Sequence, residues 1–243
     1  MINPQIAKPL YEQIKSYLLA CIEQGMYPPD SRLPSERDLA EQFGVSRLTV
    51  KKAISDLLQS GQVYVQIGKG TYVSRAKIDQ SLDSLTSFSE DMSQRHQLPG
   101  SRVLEAREIQ ASVEEARNLR VAPGIPLYFL RRVRLADDLP MAIESCRLVA
   151  AVCPGLLAGH DYERESLYQV LRNGYGIRLT YAEQSIEARL ASVDEAHLLQ
   201  IEVRAPILAI SRVTYTDSDQ PVEYTVSAYC GTRYKFQAML RRV

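Results

Sequence analysis

Two stretches of this chain, eighty residues apart, carry nearly the same text. "ASVEEARNLRVAPGIPLYFLRRVRLADD" begins at Ala111 and "ASVDEAHLLQIEVRAPILAISRVTYTDS" at Ala191, aligned without a gap. The register matches Ser112 with Ser192, Ala116 with Ala196, Leu119 with Leu199, Pro126 with Pro206, Arg132 with Arg212 and Asp137 with Asp217. One inserted residue later, "LPMAIES" meets "QPVEYTV". Upstream, each copy follows a helix-like segment, "SFSEDMSQRHQL" or "SLYQVLRNGYGI", and then a strand-like one. Each half therefore reads as helix, strand, helix and hairpin. Two such halves about a pseudo-two-fold axis share one antiparallel sheet with helices alongside. The expected product is an α+β domain with a cleft where the halves meet.

The repeat leaves the start of the chain unexplained, and 243 residues favour two domains. "KPLYEQIKSYLLACIEQG" has Leu10, Ile14, Tyr17, Leu18, Cys21 and Ile22 at helical spacing and stops at Gly25. "SERDLAEQFG" offers Ser35 as N-cap with Asp38 three residues on, and Gly44 as a stop. Only Val45 separates that stop from Ser46, which caps "RLTVKKAISDLLQ" with its stripe of Val50, Ala53, Ile54 and Leu57. Helix, tight turn, helix is a helix-turn-helix. Its second helix puts Arg47, Lys51 and Ser55 in one row, with Thr49 and Lys52 farther round the same polar surface. After it, Val63, Val65 and Ile67 alternate with polar neighbours, Lys69 stands between Gly68 and Gly70, and Thr71-Tyr72-Val73 returns. That is a hairpin with a cationic tip, and it completes a winged helix-turn-helix. "GKGT" lacks the upstream glycine of a nucleotide-binding P-loop.

A cationic helix can also be a solvated surface face, so charge distribution matters. The chain is neutral overall, but residues 1–76 hold nine Lys/Arg against seven Asp/Glu, and the rest hold twenty against twenty-two. The small asymmetry has the sign of an N-terminal module for a polyanion. A recognition helix enters the major groove N-terminus first. Arg47 is then placed to bond a guanine edge, Thr49 and Lys51 to reach base or phosphate, and Lys69 to approach a phosphate from the hairpin tip. The four scattered cysteines form no CxxC pair, so neither a disulfide framework nor a metal site is expected. No apolar run approaches a membrane span and no signal-peptide core precedes the first helix, so a cytoplasmic location is expected.

In the expected cleft, Arg132 and Arg134 lie two apart on a strand and point to one face. Beside the capped helix starts at Ser87 and Ser166 they would suit an anion, with Glu144, Glu223, Tyr168 and Tyr229 for its hydroxyl groups. The alternative for the arginine pair is a salt bridge to an acid on a neighbouring strand. "SRAKIDQSLDSL", residues 74–85, is polar and mixed in charge and reads as a linker. The boundaries are residues 1–75 for the winged helix-turn-helix, 76–84 for the linker and 85–243 for the second domain.

The segment from "PLYEQIKSYLLACIEQG" through "LPSERDLAEQFGVSRLTVKKAISDLLQSGQVYVQIGKGTYV" resembles the DNA-binding domain of GntR-type transcriptional regulators along its full length. The resemblance implies DNA contacts from Arg37, Arg47, Thr49 and Gly68 or Gly70. Lys51 stands where the family often has arginine. Lysine lacks the two-bond fork, so Lys51 is assigned to phosphate, and Lys52 and Lys69 complete the expected set.

"SLTSFSEDM", "RRVRLADDLPMAIE", "SLYQVL" and "PVEYTVSAYCGTRYKF" resemble the effector-binding (UTRA) domain of the HutC branch of those regulators. This implies a chorismate-lyase-like fold with an effector site lined by Ser87, Phe88, Arg132, Arg134, Glu144, Ser166, Tyr168, Glu223 and Tyr229. Cys230 and Thr232 depart from the arginine and aspartate usual there, so the pocket is expected while its ligand stays unnamed. The implied protein is a homodimeric repressor on an inverted-repeat operator, controlled by a small anion such as a phosphorylated sugar, with no cofactor and no catalysis. A fused enzyme of the shared fold is the alternative. Against it, His96, His160 and His197 stand at no motif spacing, and neither GxSxG nor HExxH occurs. A ligand-free DNA-binding scaffold would leave Arg132 and Arg134 without a purpose.

Overall fold

Apolar residues at helical spacing fold the N-terminal part into three helices, α1 (Leu10–Glu23), α2 (Glu36–Phe43) and α3 (Arg47–Gln59). The Ser35 hydroxyl accepts the Asp38 amide and the Asp38 carboxylate accepts the Ser35 amide, which satisfies two donors at the start of α2. Gly44 ends that helix in the left-handed conformation at φ 63°. Ser46 accepts the Thr49 amide and starts α3. Ile14, Leu18, Leu39, Val50, Ile54 and Leu57 then meet in one core, closed by Val63 and Val73. Truncating a fully buried leucine such as Leu57 to alanine costs about 2–5 kcal/mol. The closing valines belong to the hairpin of β1 (Val63–Gln66) and β2 (Gly70–Val73), paired antiparallel with Val63 opposite Val73.

These features belong to a computed structural model that describes residues 8–66, 68–74 and 77–240. Ile67 of the expected alternation and Arg75 and Ala76 of the expected linker lie outside the described residues. The chain divides between Lys77 and Ile78 into two units.

The second unit is built on six antiparallel strands: β4 (Pro99–Gln110), β5 (Pro126–Ala136), β6 (Leu139–Val149), β7 (Leu179–Leu190), β8 (Pro206–Thr216) and β9 (Pro221–Cys230). Their order is β4-β5-β6-β9-β8-β7, so each half contributes three strands and the halves join where β6 pairs with β9. Successive strand residues face opposite sides of a sheet, and each side has its own helices. On one face α4 (Phe88–Gln94) packs Phe88 and Met92 against Ala136 and Met141, and α6 (Leu167–Tyr175) packs Leu167 and Leu171 against Leu130 and Leu148. On the other, α5 (Val113–Asn118) covers Leu127 and Val149, and α7 (Val193–Leu199) covers Val133, Ile143 and Ile207. The duplicated "ASVEEA" and "ASVDEA" are capping boxes: Ser112 with Glu115 starts α5 and Ser192 with Glu195 starts α7.

The expected linker over 76–84 is corrected. Ile78–Ser81 forms β3, paired in parallel with β10 (Tyr234–Gln237), and belongs to the second unit. In "IDQS" the inward residues are Ile78 and Gln80, so only one of the two is apolar and the alternation is hidden in the sequence.

Candidate functional sites

In the N-terminal unit the segment before α2 is stitched to the wing. The Leu33 amide donates to Thr71, the Val73 amide donates to Ser31, and Arg32 bridges Tyr72. This brings Arg32 and Arg37 to a concavity shared with Arg47, Gly70 and Thr71. A Cβ on Gly70 would stand 2.8 Å from Arg32 Nε, and its φ of 124° also favours glycine, so the wing approaches Arg32 closely only with glycine there. Of the eight residues expected at DNA, Arg37, Arg47 and Gly70 line this concavity. Lys51, Gly68 and Lys69 are exposed elsewhere on the unit. The Thr49 hydroxyl is 2.9 Å from that of Ser46. Lys52 is not grouped with the others. It pairs with Asp56 at 2.8 Å, one turn along α3, and lies over the Tyr11 ring of α1. Sequence reasoning missed Arg32, and also Leu48, which is 77% exposed beside Arg47. An apolar side chain at the head of a recognition helix suits a thymine methyl.

In the C-terminal unit all nine expected effector residues line one cavity: Ser87, Phe88, Arg132, Arg134, Glu144, Ser166, Tyr168, Glu223 and Tyr229. Its floor is the sheet face beneath α4 and α6, where polar residues replace apolar ones. Arg132 and Arg134 are 1% and 4% exposed. Arg132 Nη2 donates to Glu144 Oε2 at 2.6 Å, and Arg134 Nη1 is 3.5 Å from the same oxygen. The neighbouring-strand salt bridge is therefore present, since Glu144 stands opposite Arg132 in the β5–β6 register. It leaves the Arg132 Nε and Nη1 and the Arg134 Nε buried without acceptors among the described residues. Arg134 also donates to Ser89 Oγ at 3.1 Å and stacks on the Phe88 ring, 4.7 Å from its centroid.

Across the cavity, Tyr168 and Thr214 donate to Glu223 Oε2 at 2.9 and 3.1 Å. Tyr229 packs edge-on against Tyr234, joining the cavity wall to β10. The helix starts differ from each other. At α4, the Glu90 carboxylate accepts both the amide and the hydroxyl of Ser87. At α6, Ser166 makes no side-chain cap bond. Both helix starts expected to face an anion, at Ser87 and Ser166, line the cavity, the first with a capping box and the second without one.

Three guanidiniums face two carboxylates, because Arg212 also lines the cavity and binds Gln184 through Nε at 3.0 Å. Arg212 was legible in the sequence as the repeat mate of Arg132 and was not carried into the site. Gln80, Thr86 and Leu167, also lining, gave no comparable signal. Burial opposes ionisation of Glu144, but the charges of Arg132 and Arg134 outweigh it and hold the carboxyl below its usual value. Burial, and then the charge of Glu144, raise the Glu223 carboxyl. Burial and the Arg132 charge lower Arg134 to about 10, which leaves it cationic at neutral pH. Cys230 and Thr232 do not line the cavity. Cys230 is buried with Sγ 3.1 Å from Thr232 Oγ1. Among the described residues no cluster of acids, histidines and cysteines is placed to hold a metal, and no helix is long and apolar enough to cross a membrane.

Residues 10–73 match the family described as bacterial regulatory proteins, gntR family, and residues 94–235 match the UTRA domain. Over 100% of its own length and 99% of the relative's, the chain is 39% identical to the HTH-type transcriptional repressor NagR of Bacillus subtilis (strain 168). It is 30% identical to the histidine utilization repressor of Pseudomonas putida, across 94% of this chain and 91% of that one. The crystal structure of PhnF from Mycobacterium smegmatis superposes with a TM-score of 0.68 at 32% identity, covering 94% of this chain and 99% of that chain.

Proposed function

The chain belongs to the GntR family of bacterial regulatory proteins, HutC subfamily, and from that premise we propose a repressor whose hold on operator DNA is set by a small anion in the C-terminal cavity. The observation that carries this reading is the charged floor of the cavity. Replacing a buried ion pair by apolar residues is often stabilising, so a sheet selected for stability alone has no use for Arg132, Arg134 and Glu144 in its middle. Three buried guanidinium nitrogens without acceptors among the described residues, together with a one-charge excess of guanidinium over carboxylate, support a place for anionic oxygens. Glu223, Tyr168 and Tyr229 at the opposite wall suit the hydroxyl or amino groups of a polyol, so the preferred class is a phosphorylated sugar.

At DNA, Arg47 leads α3 into the major groove, Arg37 and Arg32 flank it, and Lys69 approaches the backbone from the wing. The working form is a homodimer on an inverted repeat, because two-fold protein symmetry calls for a two-fold site. A ligand shifts operator affinity only through its differential affinity for the two states, a coupling of about 1–3 kcal/mol.

Thermal unfolding in glucosamine 6-phosphate, glucose 6-phosphate and their unphosphorylated sugars tests the cavity. A phosphorylated sugar at 100 times its Kd stabilises by about 2.7 kcal/mol. Equal shifts from the neutral sugars would overturn the anionic reading. Selection of duplexes from a random library tests the other end, with an inverted repeat as the expected product.

A further inference from the structure

Among the described residues of the expected linker, Gln80 is the one that reaches the cavity lining. It lies on β3, is 6% exposed, and donates through Nε2 to Asp91 Oδ2 on α4. Thr86 donates to the other oxygen of that carboxylate, at 2.7 Å. Burial raises the Asp91 carboxyl, while the Thr86 hydrogen bond and the Arg95 charge oppose that shift; in its ionised form Asp91 only accepts, and the Gln80 amide turns its NH2 group toward it. That choice leaves Gln80 Oε1, which is buried and meets no donor among the described residues. A buried carbonyl oxygen left unpaired costs free energy that a bound donor would recover.

The position of β3 gives this oxygen a further meaning. The strand begins at Ile78, the first residue of the second unit, so every covalent connection to the DNA-binding unit passes through it. It is held by four residues of parallel pairing with β10, by the Lys235–Asp79 ion pair, by Ile78 packed in one core with Phe88 and Met92, by Arg95 donating to the Asp79 carbonyl, and by the Gln80–Asp91 bond. Of its side-chain polar contacts, only the last comes from a residue lining the cavity; through Ile78 the strand also packs in one core with Phe88 of the lining.

We propose that Gln80 reads the ligand and transmits its presence. A hydroxyl or amino hydrogen of the bound anion donates to Gln80 Oε1, and this fixes the strand from which the chain runs to the DNA-binding unit. The inference rests on the proposed effector cavity. It adds that the ligand must carry an O–H or N–H donor opposite its anionic group, and that the Gln80 amide is the polar link from that donor to β3, beside the apolar packing of Ile78 on Phe88.

The test measures operator affinity with and without saturating glucosamine 6-phosphate, which carries a phosphate, hydroxyls and an amine, using a duplex selected by the wild-type protein. The readout is the ratio of the two affinities, each variant serving as its own reference. A purely structural defect changes both affinities together and leaves that ratio in place. For the wild-type protein the ratio differs from one by at least about fivefold. In Gln80→Met, close in size but without a strong acceptor, the probe still binds, about five- to tenfold more weakly, and the ratio falls to within about twofold of one. Gln80→Glu keeps an oxygen acceptor and retains most of the ratio at saturation. A wild-type ratio in Gln80→Met, or its complete loss in Gln80→Glu, overturns the proposal. Arg134→Leu separates the two levels of the argument. If that variant binds the probe as the wild type does, or if the wild type binds neither glucosamine 6-phosphate nor glucose 6-phosphate, the cavity assignment itself fails and Gln80 falls with it.

Discussion

In the N-terminal unit Arg37, Arg47, Lys51 and Lys69 stand in solvent, and none of them except Arg37 has an ion-pair partner among the described residues. In the C-terminal unit Arg132 and Arg134 lie beneath two helices, wired to Glu144 and packed on aromatic rings. The same chemical group therefore works under opposite conditions. An exposed cation is already hydrated, contributes little to folding, and is free to be exchanged onto a phosphate or a base. A buried cation depends on its partner, so folding and recognition cannot be separated at that position. The comparison teaches where a substitution will be felt: in binding alone for the first unit, in stability and binding together for the second.

The largest effect is expected where the dependence is greatest. Arg132→Met leaves the Glu144 carboxylate buried with only the longer Arg134 contact, and should cost about 3–5 kcal/mol in urea unfolding. A loss below about 1 kcal/mol would remove the distinction between the units. Next come the two acids of the cavity. Glu144 is held below the usual carboxylate range, so its contribution is present at neutral pH and disappears as pH falls through that lowered value. Glu144→Gln should therefore cost about 1.5–3 kcal/mol at pH 7. Glu223 is shifted upward, so the folded state holds its proton more tightly and stability declines as pH rises through the window just above the usual carboxylate range. Glu223→Gln should flatten that decline in the urea midpoint and cost less at pH 7 than Glu144→Gln.

The exposed residues sharpen the contrast from the other side. Arg47→Ala should leave folding stability within about 0.5 kcal/mol, yet weaken operator binding by about 1–3 kcal/mol and relax sequence preference. Intact discrimination in a mobility-shift competition would remove Arg47 from the recognition surface. Lys69→Ala is the mildest. All sequences should weaken alike, and the slope of log affinity against log salt should drop by about one unit.

Much of this arrangement was written in local sequence. Ser35, Ser46, Ser112 and Ser192 each start a helix because a hydroxyl three residues ahead of a free amide is a short-range fact. The repeat at Ala111 and Ala191 fixed the paired halves, and with them the face shared by Arg132 and Arg134. It also held Arg212, which a reading of one copy at a time overlooked. "SFSE" held the capped start of α4, since Glu90 three residues after Ser87 is a capping-box pattern. Other features had no local signature. β3 and β10 are four residues each and pair in parallel across most of the second unit, so neither alternation nor a turn marks them. Arg32 reaches the concavity it shares with Arg37 and Arg47 only because backbone bonds to Thr71 and Val73 bend its segment against the wing.

The pairing of β3 with β10 also sets a schedule. The partner of residues 78–81 is residues 234–237, synthesised roughly 150 residues later. At ribosomal speeds of about 5–20 residues per second, β3 waits about 8–30 s for its neighbour. The described residues of the N-terminal unit contain their own core and can fold during that interval. A nascent chain thus owns a finished N-terminal unit before the strand proposed to govern it has been fastened, and on that reading control arrives last in the life of each molecule.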